Sequence, residues 1–434
     1  MAVLLPAAAA QASVAHLDRA FGKGGIRYLP QSLRELGGAA LLGDGRVLVG
    51  NGAKLRALLP SGRFDPNFGD DGVVRIGKGR SRYGAISGFG VDSQGRPVIV
   101  GFSGEGSGNK RIVERLTPGG RPDPSFGEGR GYVVADFGVP APEIGKTRSS
   151  YPEDLAFEPD GRLLVMGRAV IGFWSGPTKN GYTTEAVDEA FVARLDASGR
   201  LDTSFADLGV FRDKGIERLA GGFGVDQSLN RDWSVGPNGK IALYAESGEE
   251  GSMLRLDGGG KADPGFGTAG YAAYPAGTYE GPLLDEHERT ITWGYLQGVR
   301  RRLANGLLIK RLTPNGSPDT RFGKGGAVTL RIAGLVHADL AVDEHGRVLI
   351  AASLKGRGAV SESKEFALLR LQADGKRDPS FGHRGMLRIP FPQGRGEPAA
   401  YLQGMEVRGD QALIAGSYCG ACEPAVALVD LGGG

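Results

Sequence analysis

The residues best suited to redox or metal chemistry in this sequence are its two cysteines, Cys419 and Cys422. A Cys-x-x-Cys pair has the spacing of a redox dithiol, of half a zinc ribbon or of a local disulfide. No second cysteine pair exists, and this one lies between two predicted strands rather than at the start of a helix. In an exported protein this setting favours a disulfide between Cys419 and Cys422 that closes a loop.

Histidines and carboxylates define no further site. His287 and His345 occupy the same turn in two units of a repeat and are flanked by carboxylates, which would suit a metal ion. Equivalent turns of a repeat are held apart, however, and solvated turn histidines are the simpler interpretation. His16, His337 and His383 are isolated, and no nucleophile elbow, phosphate loop or dinucleotide fingerprint stands out. We therefore predict no catalytic residue, no bound metal and no cofactor.

Aromatic and basic side chains are the remaining candidate functional residues, and they would bind a ligand rather than catalyse a reaction. Aromatic side chains offer large contact surfaces with a polar edge, and arginines pair with acidic groups. The candidate binding residues lie in long segments between predicted strands: Phe173, Trp174, Tyr182, Trp233, Arg300, Arg301 and Arg302.

The elements that must position these residues are set by a repeated motif, Asp-x-x-Phe-Gly-x-x-Gly. Seven copies start at Asp18, Asp65, Asp123, Asp202, Asp263, Asp319 and Asp378. Their phenylalanines recur on average every 60 residues, at Phe21, Phe68, Phe126, Phe205, Phe266, Phe322 and Phe381. The third copy carries one extra residue, and the fourth has Ala206 in place of the first glycine. A motif kept at this period indicates an array of one supersecondary unit.

The motif residues are predicted to be structural. Seven phenylalanines could form a ring of ligand-stacking aromatics, but one aromatic per unit that packs against the next unit is the better interpretation. The motif aspartate is a conceivable metal ligand, yet aspartates in loops more often accept hydrogen bonds from turn amides. A recurrent arginine is predicted to pair with this aspartate in five units: Arg115, Arg194, Arg255, Arg311 and Arg370.

Each unit has the same internal order of four strands. In the sixth unit they are predicted at 327–332, 338–342, 347–352 and 366–371, joined by tight turns such as Asp-Gly. Seven such units with no helical period predict an all-β fold, a seven-bladed β-propeller of four-stranded antiparallel blades. The propeller should span residues 16–434 as one domain. The first repeat residues, from Leu17, form a motif and the strand after it, and the last, 424–431, match the strand just before a motif. We therefore expect the N-terminal strand to complete the last blade and close the ring.

These patterns resemble a known family. The segments Asp-Gly-Arg-Val-Leu-Val-Gly at 44–50, Phe-Ala-Leu-Leu-Arg-Leu at 366–371 and Asp-Pro-Ser-Phe-Gly at 378–382 are similar to the bacterial delta-60 repeat, and the likeness covers residues 17–431. The units are also similar to NHL-type propeller repeats. The resemblance implies a secreted or surface-associated propeller with no catalytic motif. It also implies that the strand before the Asp-Gly turn lies nearest the axis and the strand after Phe-Gly outermost.

Loop length points to one face of the predicted ring. The short turns fall on one face, and the two variable connections of each unit share the other. The longest segments, at 137–154, 171–190, 212–233 and 295–305, hold all seven candidate binding residues. Variable loops on a rigid scaffold are where binding usually resides. The alternative is that these segments are tolerated insertions without a ligand.

Charge, apolar runs and the N-terminal segment limit which partners and which cellular location are expected. The chain has 52 basic and 49 acidic residues and a formal charge of +3, so no nucleic-acid partner is expected. No apolar run is long enough for a membrane span. Residues 1–15 are apolar and end in Ala-x-Ala-like sites, which resembles a secretory signal, although the basic n-region is missing. Either the start lies too far downstream or this is an apolar tail; we favour export, to the medium or the cell envelope, as a monomer.

We therefore predict a binding or interaction scaffold that recognises a protein or polysaccharide through the long loops. The alternative is a hydrolase or lyase, lactonase-like or glycan-active, that uses the central pocket. Such an enzyme needs inward carboxylates or histidines from several blades. The strands predicted to line the axis are mostly apolar or Gly and Ala, which favours the scaffold.

Overall fold

The protein is described by a computed structural model that consists of β-strands and their connections. The structure describes residues 14–30, 33, 36–52, 54–76, 85–103, 110–135, 137, 150–158, 160–178, 181–213, 233–247, 250–273, 275, 280–296, 306–355, 363–390, 399–419 and 423–432. These ranges contain no α-helix, and hence no apolar helix of the length that a bilayer requires.

Seven antiparallel sheets form the seven blades, as predicted. Blades one to three comprise β3–β6 (Gly38–Leu41, Val47–Asn51, Lys54–Leu58, Val74–Arg75), β7–β10 (Ala85–Val91, Pro97–Ser103, Lys110–Arg115, Tyr132–Val134) and β11–β14 (Ser150–Phe157, Leu163–Thr178, Gly181–Leu195, Val210–Asp213). Blades four to six comprise β15–β18 (Trp233–Val235, Ile241–Ser247, Glu250–Leu256, Tyr271–Ala273), β19–β22 (Glu280–Leu284, Thr290–Tyr295, Gly306–Leu312, Ala327–Arg331) and β23–β26 (Leu335–Val342, Val348–Lys355, Ser363–Leu371, Met386–Pro390). Blade seven comprises β27–β29 (Ala399–Arg408, Gln411–Cys419, Glu423–Asp430) with β1 (His16–Leu17) and β2 (Ile26–Tyr28).

The first strand of every blade lines the axis of the ring. Each of these seven inner strands contacts the inner strand of the next blade, and the seventh contacts the first. The strand that precedes the Asp-Gly turn is therefore innermost and the strand that follows Phe-Gly is outermost. Both positions agree with those that the repeat resemblance implied.

The N-terminal strand closes the ring. Ile26 pairs with Ala427 and Tyr28 with Ala425, so β2 is the outer strand of a blade whose other strands come from the C-terminal part of the chain. The shorter β1 pairs with the far end of β29. Pairing removes an open edge at β29 that would otherwise be free to bind another strand. The predicted closure is confirmed.

The core lies between the blades rather than inside one sheet. Buried side chains group into clusters that each combine residues of neighbouring blades; one joins Phe21 and Leu41 to Leu413 and Leu428, for example. All seven motif phenylalanines belong to these layers, and none is more than 1% exposed. Their predicted role, packing in the wedge between neighbouring blades, is confirmed.

Six of the seven motifs also hydrogen-bond the next blade. The Gly69 N–H donates to the Gly119 carbonyl at 2.8 Å, and a Cβ on the neighbouring Gly120 would lie 2.9 Å from the Phe68 ring. Gly120 has a φ of +78°, so glycine is needed there both for the backbone and for the ring beneath it. The same N–H to carbonyl bond occurs at six junctions: Gly22 to Ser61, Gly69 to Gly119, Gly127 to Ser198, Ala206 to Gly259, Gly267 to Asn315 and Gly323 to Asp374.

The motif aspartates hold their own turns and bind the recurrent arginines. In all seven copies the Oδ1 atom accepts the backbone N–H two residues later, at 2.9–3.2 Å. In five blades the arginine Nε lies 2.7–2.9 Å from Oδ2, and its guanidinium lies over the motif ring. Blade one has Ala57 at the arginine position, and Arg46 reaches Asp65 instead, at 3.1 Å. The predicted aspartate–arginine pairs are confirmed.

Candidate functional site

The ring has two faces of different construction. One face, which we call the turn face, carries the turns between the first two strands of each blade, such as Asp343–Arg347, together with the motifs. The opposite loop face carries the connections between the second and third strands and those that enter the next blade. The loop face is where the sequence places the candidate binding residues.

A long β-hairpin projects from blade three on the loop face. Its strands, β12 and β13, have 16 and 15 residues, whereas the corresponding strands of the other blades have 5 to 9. The inner strand of the blade pairs with β12 only as far as Ala169, and the outer strand pairs with β13 only as far as Ala190. Beyond these residues each hairpin strand pairs with the other alone in the described chain. We call this part, 170–189, the hairpin arm.

The arm corrects one expectation from sequence. The segment 171–190 was expected to be an irregular loop, but it is regular antiparallel strand as far as Thr178 and from Gly181 onward. Its paired part spans about 30 Å at the usual rise per residue. The register shifts between Val170 and Gly172, so a β-bulge lies at the base of the arm.

Three candidate binding residues lie in the arm. Phe173 pairs with Ala186, Trp174 with Glu185, and Tyr182 with Pro177. Their backbone positions thus fall on a two-stranded ribbon outside the ring. The contacts of their side chains lie outside the described part of the structure.

Trp233 does not lie on an exposed rim, and that expectation is wrong. It is 1% exposed and packs in the apolar layer between blades three and four. Its indole N–H donates to the Asp154 carboxylate at 2.8 Å. Trp233 is the first residue of β15 rather than part of the preceding loop, so the sequence placed the strand boundary too late.

The other candidates fall outside the described residues. They are Arg300, Arg301 and Arg302, and with them Cys422 and most of the segments 137–154, 212–233 and 295–305. Cys419 is the last residue of β28, but its side chain is outside the described part, so the disulfide stays a prediction.

Carboxylates on the inner strands are used to join blades. Asp154 accepts the Trp233 N–H of the next blade, and Asp339 accepts the backbone N–H of Met405 at 2.8 Å. Glu406 accepts the backbone N–H of Leu41 at 2.7 Å, across the closure of the ring. Sequence reasoning took the inner strands as mostly apolar and missed these residues. A lone acidic residue within an apolar strand was the signal that could have found them.

One titratable cluster lies where inner strands begin, in blades five and six. The Tyr295 hydroxyl is 3.2 Å from His337 Nδ1 and accepts the backbone N–H of Ala338 at 3.1 Å. Burial, with the charges of Glu280 and Asp339, raises the pKa of Tyr295 to about 12. Burial and the Asp339 charge raise the pKa of Glu280 to about 7. A partly buried carboxyl that titrates near neutrality, close enough to a tyrosine for its charge to act on that tyrosine's pKa, can transfer protons.

The raised pKa of Glu280 predicts a pH-dependent effect of Glu280→Gln. Below the unfolded pKa near 4.5 Glu280 is neutral in both states, so the variant should match wild type. As pH rises towards 7 the unfolded chain ionises first, and wild type loses stability on the order of 1–3 kcal/mol. Glutamine cannot ionise, so the variant should be the more stable protein at about pH 8.

Urea unfolding of wild type and Glu280→Gln, at a pH below 4.5 and at about pH 8, measures this difference in stability. Glu128→Gln is the control, because its side chain is 69% exposed and should show no pH-dependent change. Equal stability of Glu280→Gln and wild type at both pH values would show that folding does not raise the pKa of Glu280.

The histidines of the equivalent turns do not converge on a site. His287 and His345 are exposed, and His345 lies 4.0 Å from the Glu344 carboxylate. In the part of the chain that is described, no group of three or more His, Cys, Asp or Glu side chains is placed to hold a metal ion.

The seven blades define a seven-bladed β-propeller, and solved structures were found that are similar to it. The chain is similar to a protein of unknown function from Dyadobacter fermentans (9% identity, 97% of this chain and 99% of that one, TM-score 0.39). It is also similar to a gluconolactonase from Xanthomonas campestris (14%, 96% and 98%, TM-score 0.34) and to the polysaccharide lyase Uly1 (10%, 80% and 90%, TM-score 0.37). Likenesses this distant carry no argument about activity.

Comparison of the sequence with family models and with curated proteins does not assign the chain to a family. No family model matches the chain, and no curated protein does. The resemblance to the delta-60 repeat, and the bacterial origin that it implies, therefore stay predictions.

Proposed function

We propose that this propeller is a binding scaffold, exported to the medium or the cell envelope, that holds a protein or polysaccharide partner on its loop face with the hairpin arm. The observation that supports the proposal best is the arm itself. Nine residues of β12 continue beyond the blade, and from Val170 to Thr178 they pair only with β13 among the described strands.

The arm has properties that suit binding rather than packing. Among the described residues, the neighbouring strands of the blade pair with neither edge of the arm, so both edges carry backbone N–H and carbonyl groups to which no described strand is bonded. Such edges bind extended chains by strand addition. The arm also contains Phe173, Trp174 and Tyr182 within a polar sequence, the residue types that supply binding surface at low entropic cost.

A register-matched deletion tests the arm. Replacing residues 171–187 by Asn-Gly joins Val170 to Asp188, which already face each other, through a two-residue turn. We expect this variant to bind the partner at least about tenfold more weakly than wild type, because the arm carries the main contact. Affinity electrophoresis against a polysaccharide panel and an array of extended peptides would measure the loss and separate the two partner classes.

The matched control keeps the arm and changes its aromatic residues. A Phe173→Ala, Trp174→Ala, Tyr182→Ala variant retains both backbone edges. Loss of binding only on deletion would indicate strand addition, and loss in both variants would indicate side-chain recognition. Equal binding by wild type and the deletion variant would contradict the proposal.

The alternative function, hydrolysis or elimination in the central channel, is favoured by one observation, the Glu280 carboxyl with its raised pKa beside Tyr295. Against it, Asp154, Asp339 and Glu406 are engaged in contacts between blades. Turnover of lactones or acidic glycans that disappears in Glu280→Gln but persists after arm deletion would replace the scaffold proposal by the enzymatic one.

A further inference from the structure

The turn-face end of the central channel is closed over only three of the seven blades. Arg408 is the last residue of the inner strand of blade seven, and it donates to the carbonyls of Leu41 and Val91 at 3.0 and 3.3 Å. Leu41 and Val91 are the last inner-strand residues of blades one and two. One arginine thus bridges the ends of three inner strands.

The other four blades leave a cavity of about 270 Å³ at the same end of the channel. Its walls include the last inner-strand residue of each blade: Phe157, Val235, Leu284 and Val342. These four side chains are only partly buried and form the apolar part of a cavity surface that is otherwise polar. Since a water molecule occupies about 30 Å³ in the liquid, the volume suits a ligand of roughly seven to nine heavy atoms.

Acidic residues at the rim of the cavity differ in their charge partners. Asp285 and Asp343 also line it, but each binds an arginine at 2.6 Å, Arg289 and Arg347 respectively. The remaining rim carboxylates, Glu286 and Glu344, have no such partner: among the described residues Glu286 has no ion pair, and Glu344 pairs only with His345, at 4.0 Å.

The rim of blades five and six therefore carries two carboxylates without an arginine or lysine partner among the described residues, beside apolar side chains. Glu288, which follows in the turn of blade five, does not add a third, because Lys240 binds its carboxylate at 2.7 Å. A ligand that complements this surface has an aliphatic chain and a cationic end, since apolar contact and charge pairing then act together. A neutral or anionic ligand of the same size would satisfy only one of the two features.

We propose that this cavity binds a primary alkylammonium group, with the aliphatic chain against Phe157, Val235, Leu284 and Val342 and the ammonium at Glu286 and Glu344. The site lies on the turn face, opposite the hairpin arm, and does not depend on the proposed scaffold function. The chemistry is shared by a free aliphatic diamine and by the lysine side chain of a partner.

Calorimetric titration of the whole protein with pentane-1,5-diamine and with N-acetyl-lysine-methylamide tests the site. We expect saturable binding of at least one, and a Kd about tenfold higher or more in Glu286→Gln/Glu344→Gln. The control Glu128→Gln removes an exposed carboxylate from the same face, remote from the cavity, and should bind as wild type. Pentane-1,5-diol, of equal length but uncharged, should bind at least about tenfold more weakly than the diamine.

The outcomes distinguish a free amine from the lysine side chain of a partner, and some of them would overturn the proposed site. Tighter binding of the diamine would identify a small amine as the ligand, and tighter binding of the lysine derivative would identify a side chain of a partner. The proposal is overturned if neither binds below about 10 mM. It is equally overturned if the double variant binds like wild type or the diol binds like the diamine.

Discussion

Arg311→Met should cost about 3–5 kcal/mol of unfolding free energy, because it removes the buried cation of a buried carboxylate, which then keeps, of the described cations, only the exposed Arg321, at 3.2 Å. Arg311 and Asp319 are both buried, with side-chain exposures of 1% and 2% and Nε 2.9 Å from Oδ2. Arg311 Nη1 also donates to the Ala373 carbonyl of the next blade at 2.6 Å, and its guanidinium lies 4.5 Å from the centre of the Phe322 ring. Methionine keeps the apolar stem and removes all three contacts.

A double-mutant cycle separates the pair from its parts. Arg311→Met, Asp319→Ala and the double variant are compared by urea unfolding; the double variant should lose at least about 1 kcal/mol less than the sum of the single losses, since neither charge is then left alone. Arg311→Lys keeps the charge without the planar fork and should fall between wild type and Arg311→Met. A loss under about 0.5 kcal/mol for Arg311→Met would show that the recurrent arginine is dispensable.

Phe21→Ala should be about as costly, in the range of 3–5 kcal/mol, and should also weaken the closure of the ring. Phe21 is wholly buried and packs with residues of blades seven and one, and the adjacent Gly22 N–H donates to the Ser61 carbonyl at 3.0 Å. The closing strand β2 is only three residues long, so it depends on this packing. When it detaches, the edge of β29 becomes available to another chain.

Two measurements check this prediction. Urea unfolding gives the lost stability, and sedimentation at increasing concentration reports association through the open edge. Tyr132→Ala is the control, because Tyr132 is an aromatic residue on an outer strand that is 37% exposed and should cost little. Equal losses for Phe21→Ala and Tyr132→Ala would mean that Phe21 has no special part in closure.

The fold was predictable because the repeat shows the same physical constraint seven times. A motif phenylalanine, a turn glycine and an aspartate recur in register, and each has one structural role in all blades, as Phe68, Gly120 and Asp65 illustrate. A strand order repeated in every unit also predicts a ring of equivalent blades, and the resemblance to propeller repeats then implied which strand is innermost. The ends of the chain had to complement each other for the same reason.

The candidate site was predictable only in part, because it depends on what does not repeat. The sequence placed Phe173, Trp174 and Tyr182 in an insertion, but the regular pairing of that insertion follows from contacts between its two strands and has no copy in the described parts of the other blades. Trp233 was misplaced because the preceding insertion hides the start of β15. The cluster of Glu280, Tyr295 and His337 arises from two neighbouring blades, and local sequence does not reveal which residues those blades bring together.

The central claim is that the repeated residues hold the ring together and that the hairpin arm, which does not repeat, serves binding. The most direct test is the urea unfolding free energy of the arm-deletion variant, in which Asn-Gly replaces residues 171–187, measured beside Phe21→Ala. The account predicts that arm deletion changes stability by less than about 1 kcal/mol, whereas Phe21→Ala loses about 3–5 kcal/mol. A large loss on arm deletion together with a small loss in Phe21→Ala would contradict it.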